Sequence, residues 1–127
     1  MIKYVFTDKA PKPVGPYSQA VVVGGWVFIS GQIPINPLTG ELVKTPFKEA
    51  VRTVLNNVLE IVKSAGGDVS NVVKVTVYMK DVGKFAEFNE VYSEFFKDHK
   101  PARAVVGVAS LPRDADLMVE AIAYVGS

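Results

Sequence analysis

The chain has 127 residues, and its 14 Lys and Arg against 13 Asp and Glu give a formal net charge of +1, so no long-range field draws it to nucleic acid or an acidic membrane. It holds no cysteine and a single histidine, His99, which leaves no disulfide, thiolate metal site, cysteine nucleophile or histidine-rich metal centre to consider. The length suits one domain over residues 1–127 with a core of its own.

Met1 to Asp8 has no basic region ahead of an apolar segment, so the reading is a cytoplasmic chain without a signal peptide. Residues 2–6 form a short first strand, and the prolines at 11 and 13 make residues 7–13 a loop. Pro13 to Gly40 carries no charge, yet Pro16, Gly24-Gly25, Pro34 and Pro37 break it into pieces too short to span a membrane. Gln19–Val23 and Trp26–Ser30, joined by Gly24-Gly25, read as a β-hairpin whose turn needs positive φ. Gly31 to Gly40 is loop, closing on a short strand at Glu41–Val43.

Thr45 as N-cap and Pro46 at the first helical position open a helix. Its apolar stripe runs through Phe47, Ala50, Val51, Val54, Leu55, Val58, Leu59, Val62 and Ala65, and Gly66-Gly67 ends it. Asn71–Lys80 is a strand with Val73, Val75, Val77 and Met79 on one face and Lys74, Thr76 and Tyr78 on the other. A second helix spans roughly 83–97 with Phe85, Phe88, Tyr92, Phe95 and Phe96 as its stripe. Asn89 falls on that buried face, where a polar side chain must find partners, most simply free backbone near a loop.

Two strands close the chain, Pro101–Ala109 and Asp116–Val125, read as an apolar hairpin that holds one charge in each half, Arg103 and Glu120. Leu117, Val119, Ala121, Ala123 and Val125 share one face of the last strand, and Met118, Glu120, Ile122 and Tyr124 the other. The fold class is α+β: a mixed sheet of about six strands with two helices on one face. The other face is then apolar and uncovered, which calls for a partner subunit. Arg103 and Glu120 can be an ion pair of little net worth to stability. Equally, Arg103 can offer its planar fork to a carboxylate while Glu120 holds water or moves a proton.

Several spaced motifs add a resemblance. Ala10-Pro11, Gly15-Pro16-Tyr17-Ser18-Gln19-Ala20, Ser30-Gly31-Gln32-Ile33-Pro34, Asn36-Pro37 and Thr39-Gly40-Glu41 occur in that order. Phe88-Asn89-Glu90-Val91-Tyr92, Pro101-Ala102-Arg103, Leu111-Pro112 and Val119-Glu120-Ala121 come after them. Together they resemble the Rid family (YjgF/YER057c/UK114), and most of all its RidA-type enamine/imine deaminases. The resemblance implies a chorismate-mutase-like fold, a homotrimer with its sheets facing inward as a barrel, and ligand clefts between subunits. It implies hydrolysis of 2-imino acids, released by pyridoxal-phosphate dehydratases acting on serine or threonine, to 2-keto acids and ammonia without metal or cofactor. By matching positions, Arg103 binds the substrate carboxylate and Glu120 positions or activates water. Tyr17, Ser30 and Asn89 line the cleft, and backbone at Gly31 and Val105 adds hydrogen bonds. Val105 stands where many relatives have cysteine, and Met118 where they often have a further acid, so neither of those roles carries over.

Two other functions are open to the same residues. Arg103 would serve a non-catalytic carboxylate binder or a chaperone equally well. An endoribonuclease, as some relatives are described, fits poorly with the neutral charge balance and the lack of an exposed aromatic pattern.

Overall fold

The computed structural model describes residues 1–126. Six strands, β1 (Lys3–Val5), β2 (Ala20–Val23), β3 (Trp26–Gln32), β4 (Val72–Met79), β5 (Ala102–Gly107) and β6 (Leu117–Tyr124), and two α-helices, α1 (Phe47–Ser64) and α2 (Phe85–Phe96), keep the expected chain order. The strands form one sheet in the order β1-β2-β3-β6-β4-β5. Both β3 and β4 run antiparallel to β6, so they are parallel to each other, and α1 crosses between them. The second crossover, through α2, joins β4 to the parallel β5.

The closing hairpin is not formed. β4 lies between β5 and β6, and a parallel β4–β5 pair replaces the direct turn expected from sequence. A strand reached through a helix crossover naturally pairs in parallel, which leaves β6 free to enter the gap between β3 and β4.

Both helices pack on one face. Val27, Val75, Val77, Met79, Leu117, Val119 and Ala123 of the sheet are sealed there against Val51, Val54, Leu55 and Ile61 of α1 and Phe88 of α2. A fully buried side chain of this size contributes about 1.5–3 kcal/mol relative to exposure. The Gly24-Gly25 turn has φ of 57° and 85°, the paired left-handed values that a two-residue hairpin turn requires.

Four local expectations change. Val73 is exposed and Val72 buried, because the β4–β6 register shifts between Val72 and Lys74; the extra residue of this bulge turns Val73 outward. Pro46, not Thr45, occupies the N-cap of α1, and no side chain caps it. Leu59 is only half-buried, while Ile61 and Asn57 face the core. Glu41–Val43 reduces to a single bridge between Ile35 and Leu42.

Asn57 Nδ2 donates to the Ile35 carbonyl at 2.9 Å and so ties α1 to the loop after β3. Asn57→Ala would leave that carbonyl without its donor. It is expected to lower stability by about 1–2 kcal/mol, read as a reduced urea midpoint at constant m.

The opposite face of the sheet has no helix. Val23, Trp26, Phe28, Val106 and Tyr124 are exposed there, with Trp26 and Tyr124 rings 4.7 Å apart. Among the described residues no helix is long and apolar enough to cross a membrane.

Candidate active site

The residues singled out from sequence fall into two clusters. The first is built by α2 against β5. Phe85, Phe88, Asn89 and Tyr92 recur at helical spacing and present one face, and Arg103 of β5 lies along it. The guanidinium carbon sits 4.8 Å from the Tyr92 ring centre, 5.5 Å from Phe85 and 6.0 Å from Phe88. Aromatic faces attract a cation at such range and fix the plane of the guanidinium.

An Arg103 Nη1–H donates to Asn89 Oδ1 at 2.8 Å. Asn89 is therefore half-buried on the expected face, but its partner is the guanidinium and not loop backbone. Since an arginine has five N–H donors, the exposed end keeps a fork to offer a ligand. Val105, two residues on, packs partly against the core and shares a shallow groove with Val82, Phe85 and Arg103. Phe85 is exposed at the rim of this groove, a departure from its place in the predicted buried stripe.

Beneath Arg103, Tyr92 is buried and its hydroxyl finds no hydrogen-bond partner among the described residues. Burial pushes its phenol above the ordinary range, partly offset by the Arg103 charge. The ring therefore stays neutral beside the cation.

The second cluster lies on the open face. Ile29 pairs with Ala121 and Gln32 with Val119, so Ser30 and Gly31 form a bulge opposite Glu120 alone. A bulge re-aims backbone groups that a regular ladder would consume. Ser30 Oγ donates to the Ser18 carbonyl at 2.7 Å and the Ser30 N–H to the Gln19 carbonyl at 2.9 Å. At Gly31 a Cβ would stand 2.8 Å from Met118 Sδ, so glycine admits the thioether. Glu120 is half-buried, and its Oε1 accepts a short hydrogen bond from the Tyr78 hydroxyl.

Tyr17 joins this cluster through the segment that leads into β2. With Gln19, Gly31, Ile33, Pro112 and Met118 it lines a small, mainly apolar cavity of about 110 Å³. Gln19, read in sequence as the start of the hairpin strand and as part of a motif, lies just ahead of β2 and is the keystone of the segment. It is buried, its Oε1 accepts from the Thr7 N–H at 2.7 Å, and its Nε2 reaches the carbonyls of Thr7 at 3.0 Å and Pro11 at 2.9 Å.

Across the cavity, Arg113 and Asp114 both adopt left-handed backbone, with φ of 56° and 58°. Lys44 and Lys80 converge on the Asp114 carboxylate. The bond from Lys80, then that from Lys44, holds its pKa below the usual carboxylate range. Neither lysine's role was visible in the sequence, because the pairs join residues far apart in the chain.

Within one chain Arg103 and Glu120 do not meet. Arg103 lies against α2 on the helical face, level with buried Val75, whereas Glu120 pairs with Thr76 on the open face. β4 stands between their strands, and because side chains alternate faces along a strand, its pairing with each sends Arg103 and Glu120 to opposite sides of the sheet. Among the described residues no group of three or more His, Asp or Glu side chains is placed to hold a metal ion.

Fold and site together define a helix-backed mixed-sheet domain with an arginine mounted on aromatics and a carboxylate on its uncovered face. The family model described as Endoribonuclease L-PSP matches residues 7–125. A RutC family protein of Pyrococcus abyssi is 55% identical, covering 94% of this chain and 94% of that protein. The 2-iminobutanoate/2-iminopropanoate deaminase of Homo sapiens is 44% identical over 98% of this chain and 90% of its own. The crystal structure of Escherichia coli TdcF with bound serine superimposes with a TM-score of 0.92 at 45% identity, covering 96% of this chain and 98% of that one. The chain belongs to the Endoribonuclease L-PSP family, that is, the Rid family whose motifs its sequence carries.

Proposed function

We propose that the protein hydrolyses reactive 2-imino acids to 2-keto acids and ammonia, in the cytoplasm, at a cleft completed by a neighbouring copy of the chain. The observation that carries this reading is the Arg103 guanidinium held on Tyr92, Phe85 and Phe88 with Asn89 on one N–H. That mounting suits a small carboxylate, which a guanidinium binds through two parallel hydrogen bonds. The human relative's name supplies the reaction, and the E. coli relative's bound serine supports a site for small α-carboxylates.

The two clusters lie on opposite faces of one sheet, so a single chain offers half of a site on each. In a homotrimer with open faces turned inward, Arg103, Asn89 and Val105 of one subunit would approach Tyr17, Ser30, Gly31 and Glu120 of the next. Apolar residues such as Trp26, Phe28 and Tyr124 would then leave water. Sedimentation at micromolar concentration is expected to give three times the chain mass, and a stable monomer would refute the shared cleft.

The chemistry asks little of the protein. The imine carbon is already electrophilic, so orientation and one placed water provide most of the rate. Glu120 takes a proton as the water oxygen bonds to C2. From the protonated imine this gives a carbinolamine, which receives that proton on nitrogen. The C–N bond breaks as the hydroxyl proton passes to Glu120, leaving the ketone and ammonia. Ammonia takes the proton away as ammonium, so the carboxylate is restored.

A threonine dehydratase supplying 2-iminobutanoate, with semicarbazide competing for the imine, tests the function. The protein is expected to speed 2-ketobutyrate formation and suppress semicarbazone; no acceleration overturns the reading. A carboxylate binder would retain ligand affinity without turnover, and a ribonuclease would cleave RNA irrespective of Arg103 and Glu120.

A further inference from the structure

Glu120 is a flexible three-torsion side chain on a largely apolar face, and something must decide where its carboxylate points. The β4–β6 register sets Thr76 beside Glu120 and Tyr78 beside Met118. Tyr78 is thus the diagonal cross-strand neighbour of Glu120, a separation that an aromatic side chain spans. Its hydroxyl donates to Glu120 Oε1. Oε2 has no hydrogen-bond partner among the described residues, and the Ser30-Gly31 bulge lies on the other side of Glu120.

Building on the deaminase reading above, we infer that Tyr78 is a positioning residue for the reaction: its hydroxyl pins one oxygen of Glu120 so that the other is held for the attacking water. Tyr78 touches neither substrate nor water and acts through Glu120. It stays protonated throughout, because the bond to Glu120, with burial adding to it, raises its pKa above that of a free phenol. The ring is half-buried between Thr76 and the end of β4, with exposed Val106 of β5 on its far side. Only the hydroxyl is spent on Glu120, so Tyr78→Phe removes the hydrogen bond and keeps the packing.

The test measures kcat and KM for Tyr78→Phe, Glu120→Gln and the double variant in the dehydratase-coupled assay, with urea midpoints alongside. Tyr78→Phe is expected to lower kcat by roughly 10- to 100-fold, the scale of a misplaced reacting group, with KM within about twofold and an unchanged urea midpoint. In the Glu120→Gln background the same change is expected to cost nothing further, since the two side chains act as a unit. A Tyr78→Phe enzyme with wild-type kcat, beside an inactive Glu120→Gln enzyme, overturns the inference while leaving the deaminase reading intact. Losses that add in the double variant, or a rise in KM alone, overturn it as well. A Glu120→Gln enzyme with full kcat removes the role of Glu120 and this one with it.

Discussion

Arg103→Ala is expected to lower kcat/KM for 2-iminobutanoate by roughly 100- to 1,000-fold, the cost of leaving a bound carboxylate without its hydrogen-bonded charge partner. Most of the loss should fall on KM, with kcat dropping too if the carboxylate sets the angle of the imine to the water. Arg103→Lys keeps the charge and discards the planar fork and the flat contact with Tyr92. Its kcat/KM should fall between those of the wild type and Arg103→Ala. Because Arg103 is exposed, the urea midpoint should scarcely move, which separates loss of binding from loss of fold. Wild-type kinetics in Arg103→Ala would dismiss the guanidinium as the carboxylate site.

Gln19→Leu is expected to be the most damaging single polar-to-apolar change for stability, by about 3–5 kcal/mol. The side chain closes a ring of bonds with Thr7 N–H and with the carbonyls of Thr7 and Pro11, and the Ala10 carbonyl lies at 3.4 Å. Leucine fills the volume and satisfies none of them. Gln19→Glu retains the acceptor for Thr7 but sets a carboxylate against those carbonyls, so it should be no milder at neutral pH. Urea unfolding measures both. An unchanged midpoint in Gln19→Leu would show that the segment over Tyr17 holds itself in place by other means.

Elements governed by local periodicity were legible in the sequence. The α1 stripe from Phe47 to Val58, the Gly24-Gly25 hairpin and the alternation of Leu117, Val119, Ala121 and Ala123 stand as read, while the end of the α1 stripe shifts from Leu59 to Ile61. What escaped depends on partners distant in the chain. Nothing near Val73 announces a bulge whose cause is the register against Ala123 and Ile122. Whether Arg103 and Glu120 are neighbours turns on which strand enters between them, and tertiary topology decides that. Asn89 was placed on the correct face of α2, but its partner arrives from β5 across the crossover. The residue types at both clusters were identified from their motifs; their division between two faces of the sheet required the strand order.

That strand order also shapes how the chain can fold. β6, last of the six in sequence, occupies the middle of the sheet and bonds β3 on one side and β4 on the other. Until Leu117–Tyr124 has left the ribosome, β1-β2-β3 and β4-β5 are two separate ribbons with bare inner edges, each a template for unwanted pairing. Helix α1 packs on β3, α2 and β6 alike, and the core it seals includes Leu117, Val119, Ala121 and Ala123 of β6. Assembly of this core therefore waits for translation to pass Tyr124. During that delay the facing edges of β3 and β4 stay open to pairing with other chains.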